Sequence, residues 1–335
     1  MLLASFLGFL LLFLLIGFSS VLVRSKEQSD YLLAGSSVPP SLIGLSAVAT
    51  NNSGFMFIGV IGYTYATGLP AFTMMVGWIL GDWMAATLVT RKVREVSEER
   101  GTLTIPELLS RWGGGHFQVL KVVAALIAVL LLGVYAAAQF KAGGKALQAL
   151  FDWDLRTGAI IGAVMVLCYG FSGGLRASVW TDAAQSVVMI VAMTVMLTTA
   201  VFTVGGWQSA WTGLHEVSPT FFQFFPADSA ASGLTGVLLF LVGWTFAGAA
   251  VIGQPHVMVR FMAVNDVKNI RRARTYYYLW FVAFYTLAVG VGMMARLLMD
   301  QGAVDPSLVM SGGELDAELA LPVMADVLLH PVATG

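Results

Sequence analysis

Thr50, Asn51, Asn52, Ser53 and Gly54 follow one another inside the apolar stretch SAVATNNSGFMFIG, residues 46–59. Short polar side chains compete for nearby backbone groups and glycine relaxes the chain, so a helix in hydrocarbon is expected to break here. Such a break is tolerated at membrane depth only where protein or a water-filled cavity shelters the freed N–H and C=O groups. Freed carbonyls coordinate a cation, while the N-terminus of the following half-helix faces a carboxylate. The competing reading is that these Asn and Ser side chains simply bond to a neighbouring helix.

Two carboxylates and a proline add to this. In YGFSGGLRASVWTDAAQSVVM a glycine pair separates two apolar runs, and Asp182 and Gln185 then lie three apart on one helix face. An ionisable group near a span interior is a candidate for ion handling, so Asp182 is a cation-site candidate, with a helix cap or interfacial role as its competitor. Asp82, in GWILGDWMAA, falls near the middle of another span. Ion or proton handling competes there with a helix-to-helix hydrogen bond. In GWTFAGAAVIGQPHVMVRFMAV, Gly253 and Pro255 end a span before Arg260. Pro255 cannot continue the hydrogen-bond ladder and is expected to act as a hinge.

These residues need elements to carry them, and composition says which. The chain has 335 residues, 58% hydrophobic and 11% charged, with a mean hydropathy of +0.81. Soluble domains carry about 25% charged residues, so a polytopic all-α membrane protein is expected, as one membrane domain over 1–335. A net charge of −1 gives no footprint for nucleic acid. His116, His215, His256 and His330 are scattered, and no phosphate loop, zinc spacing or nucleophile elbow occurs, so an enzyme is not expected. The single Cys168 is read as a packing residue.

At about 20 apolar residues per span, about eight spans are expected, near 2–24, 40–62, 70–90, 118–142, 156–173, 179–204, 233–255 and 275–299. The first lacks a basic leader and exceeds a signal-peptide core. With the N-terminus extracytoplasmic, 14 of the 18 basic residues fall on the inner side, among them Arg24, Arg91, Arg94, Lys268, Arg271 and Arg274. Positively charged loops stay cytoplasmic, which fixes the orientation. The loop at 205–233 holds no Lys or Arg, and its Trp and Phe are expected at the outer interface.

The stretches LTIPELLSRW, YAAAQFKAGGKAL, SGGLRASVWTDAAQ and GQPHVMVRFMA follow one another along the chain. Together they resemble the sodium/solute symporter family in order over essentially the whole chain, and GQPHVMVRFMA resembles its sodium/proline branch. The resemblance implies a LeuT-like fold: a leading helix at 2–24, a first five-helix repeat at 40–204, and the start of an inverted second repeat at 233–335. It implies sodium-coupled symport of a small organic solute, proline or another amino acid or carboxylate, by alternating access across a bacterial-type plasma membrane. Sodium is the coupling ion, with protons as the other possibility, and no cofactor is needed. The resemblance puts the Ala49 and Asn52 carbonyls at sodium, and Ser53, Gly54, Phe55 and Tyr135 at the solute. Asn51 stands where the proline branch has a carboxylate. Ala247 and Val251 stand at that branch's solute-contacting Trp and Tyr positions, with Trp244 about one turn before Ala247. By the family pattern the chain is C-terminally truncated by about five helices and is not expected to transport as it stands. The alternatives are a symporter-like sensor domain of a histidine kinase and a fragment that binds solute without moving it.

Overall fold

The computed structural model describes residues 1–23, 25–226, 233–311 and 313–335. Arg24 and residues 227–232 of the aromatic outer loop lie outside the described residues. Among the described residues six helices are long and apolar enough to cross a bilayer: α1 (Leu2–Val23), α4 (Pro70–Arg100), α6 (Gln118–Phe151), α7 (Leu155–Thr203), α9 (Gly233–Gly253) and α11 (Val267–Asp300). A seventh span is a bent pair, α2 (Pro40–Asn51) and α3 (Phe55–Thr67), whose axes turn by 64° at the break. The 49 residues of α7 would reach about 70 Å as one helix, over twice the roughly 30 Å hydrocarbon core. Gly174 divides it, at φ 59° and ψ −144°. Two spans in α7 bring the total to the eight expected.

Several helices outrun their expected ends. α4 continues through TRKVREVSEER to Arg100, ten residues past the apolar run. Pairs one turn apart, Arg91 with Glu95 at 2.7 Å and Arg94 with Glu98 at 3.2 Å, support the helix outside hydrocarbon. Proline opens α2, α4 and the short α10 (Pro255–Met262), where its missing N–H costs nothing. Smaller helices, α5 (Ile105–Arg111) and α8 (Trp207–Val217), join the spans at the two ends. A two-stranded antiparallel hairpin pairs Met310 with Leu315 and Ser311 with Glu314, and α12 (Ala320–Leu328) follows it.

The centre of the bundle is α11. Its Tyr277, Phe281 and Phe284 are fully buried against α2, α3, α4 and α7. On the periphery, Val129 and Leu130 of α6 are 74% and 68% exposed. So much apolar surface is stable only against lipid. Cys168 was expected to pack, but it is exposed on this outer surface, because the first half of α7 has the bundle on one side only. Helices α4 and α9 meet backbone to backbone. A Cβ on Gly81 would lie 1.8 Å from the Thr245 carbonyl oxygen, and one on Gly248 would lie 1.9 Å from that of Trp78. Small residues four apart, Gly77 and Gly81, permit this approach.

Candidate functional site

The break between α2 and α3 begins when the Asn52 N–H donates to the Val48 carbonyl at 3.0 Å. The next amides leave the ladder. The Gly54 N–H donates to Gln139 Oε1 at 2.7 Å, and the Phe55 N–H to Ser53 Oγ at 3.3 Å. The Met56 N–H turns back to the Ser53 carbonyl at 3.0 Å. These three amides are the regular partners of the Thr50, Asn51 and Asn52 carbonyls, which therefore lose their helical donors. Tyr135 Oη donates weakly to the Thr50 carbonyl at 3.4 Å. Five residues of π-helix, Phe55–Gly59, absorb the change of frame. Gly59 is required there, since a Cβ would lie 2.4 Å from the Phe55 ring. The negative end of one half-helix and the positive end of the other thus face one gap.

Three side-chain clusters hang on this break. In the first, Asn51 Nδ2 donates to Asp82 Oδ2 at 3.0 Å and to Tyr277 Oη at 2.5 Å. Tyr277 and Tyr278 donate to the same carboxylate, each at 2.7 Å. Asp82 is 1% exposed, and its oxygens are occupied by neutral donors from two other helices. Asn52 is held next to this cluster, its Oδ1 accepting from Tyr285 Oη at 3.1 Å. Its Nδ2 is buried with no partner among the described residues.

In the second cluster Asp182 Oδ2 meets Arg260 at 2.8 Å, Ser46 Oγ at 2.7 Å, Ser178 Oγ at 3.3 Å and Thr50 Oγ1 at 3.4 Å. Arg260 also donates to Ser46 Oγ at 2.7 Å and Ser178 Oγ at 3.0 Å, and to the His256 carbonyl. The pair therefore ties α2, the second half of α7 and α10 together. Asp182 sits eight residues past the Gly174 division, inside the helix and away from its end.

The third cluster is aromatic. Phe55 stacks on Trp78 at 6.1 Å between centroids, and Trp78 on Trp244 at 5.7 Å. Trp244 joins this row from a regular helical turn of α9.

A second break lies across the bundle. The regular helix of α9 ends at Ala249, a 3-10 turn covers Ala250–Gly253, and Gln254 is extended at φ −97° and ψ 101° before Pro255 starts α10. Pro255 lines a cleft of about 570 Å³ together with Tyr135, Gln254, His256, Leu131 and Ile105. The Tyr135 and His256 rings are 5.0 Å apart. Both imidazole nitrogens of His256 lack a partner among the described residues.

Of the expected site residues, Ala49, Asn52, Ser53, Gly54 and Phe55 are gathered by the break, and Tyr135 reaches it directly. Trp244 reaches it through Trp78. Asn51, at the end of α2, is turned to Asp82, and Asp182 to Arg260. Gln139, Trp78, Tyr277, Tyr278 and Tyr285 were not anticipated. A polar Gln139 four residues after Tyr135, inside an apolar run, was the one signal available. Among the described residues no group of three or more His, Cys, Asp or Glu side chains gathers to hold a metal ion. Carbonyl and hydroxyl oxygens are the ligands on offer, which suits a hard monovalent cation.

The sequence and the fold have counterparts. Sodium/proline symporters of Staphylococcus aureus, strains JH9 and NCTC 8325, are 30% identical over 332 residues, covering 98% of this chain and 61% of theirs. The chain thus spans about three fifths of the length of these curated relatives. A Na+-coupled sialic acid symporter in a substrate-bound outward-open state superposes with a TM-score of 0.84 at 19% identity, over 99% of this chain and 67% of that one. The fold is therefore the LeuT-like one. The profile described as sodium:solute symporter family matches residues 31–335, and with the fold in agreement the chain belongs to the sodium:solute symporter family.

Proposed function

We propose that the protein works in sodium-coupled secondary symport of a small organic solute carrying a carboxylate, proline or another amino acid among them. The observation that carries this reading is the break at Asn52–Gly54, where three carbonyls lose their helical donors. Sodium is taken up by the carbonyls of Ala49 and Asn52, with Asn51 and Asp182 shaping the field around it. The solute carboxylate meets the amide end of α3 beside Ser53 and Gly54, and the rest of the solute lies against Phe55, Tyr135 and Trp244. A carboxylate is the feature common to proline and sialic acid, the solutes named for the relatives and the structural neighbour.

Transport follows from alternating access. Residues 40–204 act as one five-helix repeat and 233–335 open a second, each beginning with a broken helix, and Pro255 is the hinge of the second. Sodium binding favours the outward-open arrangement, solute follows, and rocking of the bundle releases both inside. The protein resides in the plasma membrane with its N-terminus extracytoplasmic.

Uptake of labelled proline into vesicles under a sodium gradient, with a proton gradient as the alternative drive, tests this reading. Ser53→Cys and Asn52→Pro are expected to depress the sodium-stimulated rate, because both disturb the broken helix. Wild-type kinetics in both variants would remove the site from this break. Uptake driven equally well without sodium would reassign the coupling ion.

A further inference from the structure

On the outer surface of the bundle a furrow of about 1060 Å³ runs between α4 and α11. At one end it is lined by Arg91, Lys268, Arg271 and Arg274, and among the described residues no acidic side chain lines it. Arg91 is paired with Glu95. Lys268, Arg271 and Arg274 have no acidic oxygen within 4.0 Å among the described residues. Arg274 is fixed in the wall, donating to Thr87 Oγ1 and to the Trp83 carbonyl, with its Cζ 5.7 Å from the centroid of the Tyr278 ring. Its Nε has no acceptor among the described residues.

Away from the cations the furrow turns apolar and continues into a second depression, which shares Trp83, Tyr278 and Val282 with it. Phe72, Val76, Leu80 and Trp83 of α4 form one wall, between 41% and 50% exposed. They recur every three or four residues, which keeps them on one helix face. From Arg274 to Thr286 the furrow follows α11 for twelve residues, about 18 Å at 1.5 Å per residue. One leaflet of the hydrocarbon core is about 15 Å deep. A row of cations at one end and an apolar slot of leaflet depth at the other match one class of molecule in head charge and in tail length.

We infer that this furrow is a binding site for an anionic glycerophospholipid, its phosphate against Lys268, Arg271 and Arg274 and one acyl chain laid between α4 and α11. The basic end lies on the side expected to be cytoplasmic, where anionic lipid draws basic segments to the surface. The furrow backs onto the cluster at the helix break through Tyr278, which lines it and donates to Asp82, and the inference does not depend on which solute or ion is carried.

Native mass spectrometry of the detergent-purified protein, with phosphatidylglycerol or phosphatidylcholine supplied singly, tests the site without any transport assay. The expected result is selective retention of phosphatidylglycerol. Retention should weaken roughly five-fold for each charge removed in Lys268→Gln and Arg271→Gln. Lys92→Gln, an exposed charge outside the furrow, should leave it unchanged. Val282→Trp keeps every charge and fills the slot, so it should also expel the lipid. Equal retention of the two lipids, or retention indifferent to both the charge and the slot variants, would overturn the inference. Inorganic phosphate should not shift the thermal midpoint; stabilisation by phosphate equal to that by phosphatidylglycerol would make this a soluble-anion site and overturn the lipid assignment.

Discussion

One oxygen of Asp182 accepts from Arg260, Ser46, Ser178 and Thr50, and the two charged side chains are 15% and 8% exposed. In a buried pair the cost of breaking it far exceeds its net worth, because the orphaned charge stays desolvated. Asp182→Asn is therefore expected to cost about 3–5 kcal/mol in denaturant unfolding of the purified protein, and adding Arg260→Met should recover much of that loss. Additive costs in the double variant would show that the two side chains do not act as a pair. At this scale the break itself was legible, since ATNNSG is a local conflict between side chain and helix. Its partners were not. Asn51 and Tyr277 are 226 residues apart, and Asn52 and Tyr285 233. Local pattern carries no record of such meetings. Arg260 stood in view as the residue after a broken span, yet nothing near it in sequence pointed to Asp182.

Helix packing here is set by positions where a side chain cannot fit. Gly81→Ala would drive a Cβ into the Thr245 carbonyl, and the α4–α9 contact must then open, at an expected cost of about 1–3 kcal/mol. Gly243→Ala on the facing helix meets nothing within 4 Å and should be neutral or stabilising by up to about 1 kcal/mol. Thermal unfolding of the two variants side by side checks the pair, and equal effects would sink the close-packing argument. Gly174→Ala adds a second kind of strain, at φ 59° with a Cβ 2.3 Å from the Tyr31 carbonyl. It should destabilise the division of α7 and lower the unfolding temperature. The spans were legible from apolar length and the glycine pair from its place between two runs. The extension of α4 to Arg100 was not, because charged residues end a hydropathy window while pairs one turn apart prolong the helix.

For the molecule as a whole, two ends are distinguishable by what they bring together. At one, Arg94 Nε donates to the Val264 carbonyl at 2.9 Å, Val38 pairs with Val264, and Arg176 bonds to Asp30 and to the Ala34 carbonyl. At the other, the Leu69 N–H meets the Phe221 carbonyl at 2.9 Å and Lys145 reaches Asp316 and Glu318. The expected inner segments at 91–100 and 265–274 thus converge on one end, and under the proposed orientation that end is the cytoplasmic one. The orientation is open to a direct measurement, since Cys168 is the single cysteine. In a Cys168→Ser background, Ser209→Cys on exposed α8 should react with a membrane-impermeant maleimide on intact cells. Glu99→Cys, at the far end of α4, should react only after the membrane is opened. The reverse pattern would invert the protein in the bilayer and move the lipid furrow to the outer leaflet. Labelling of both from outside would break the alternation on which the eight-span count rests.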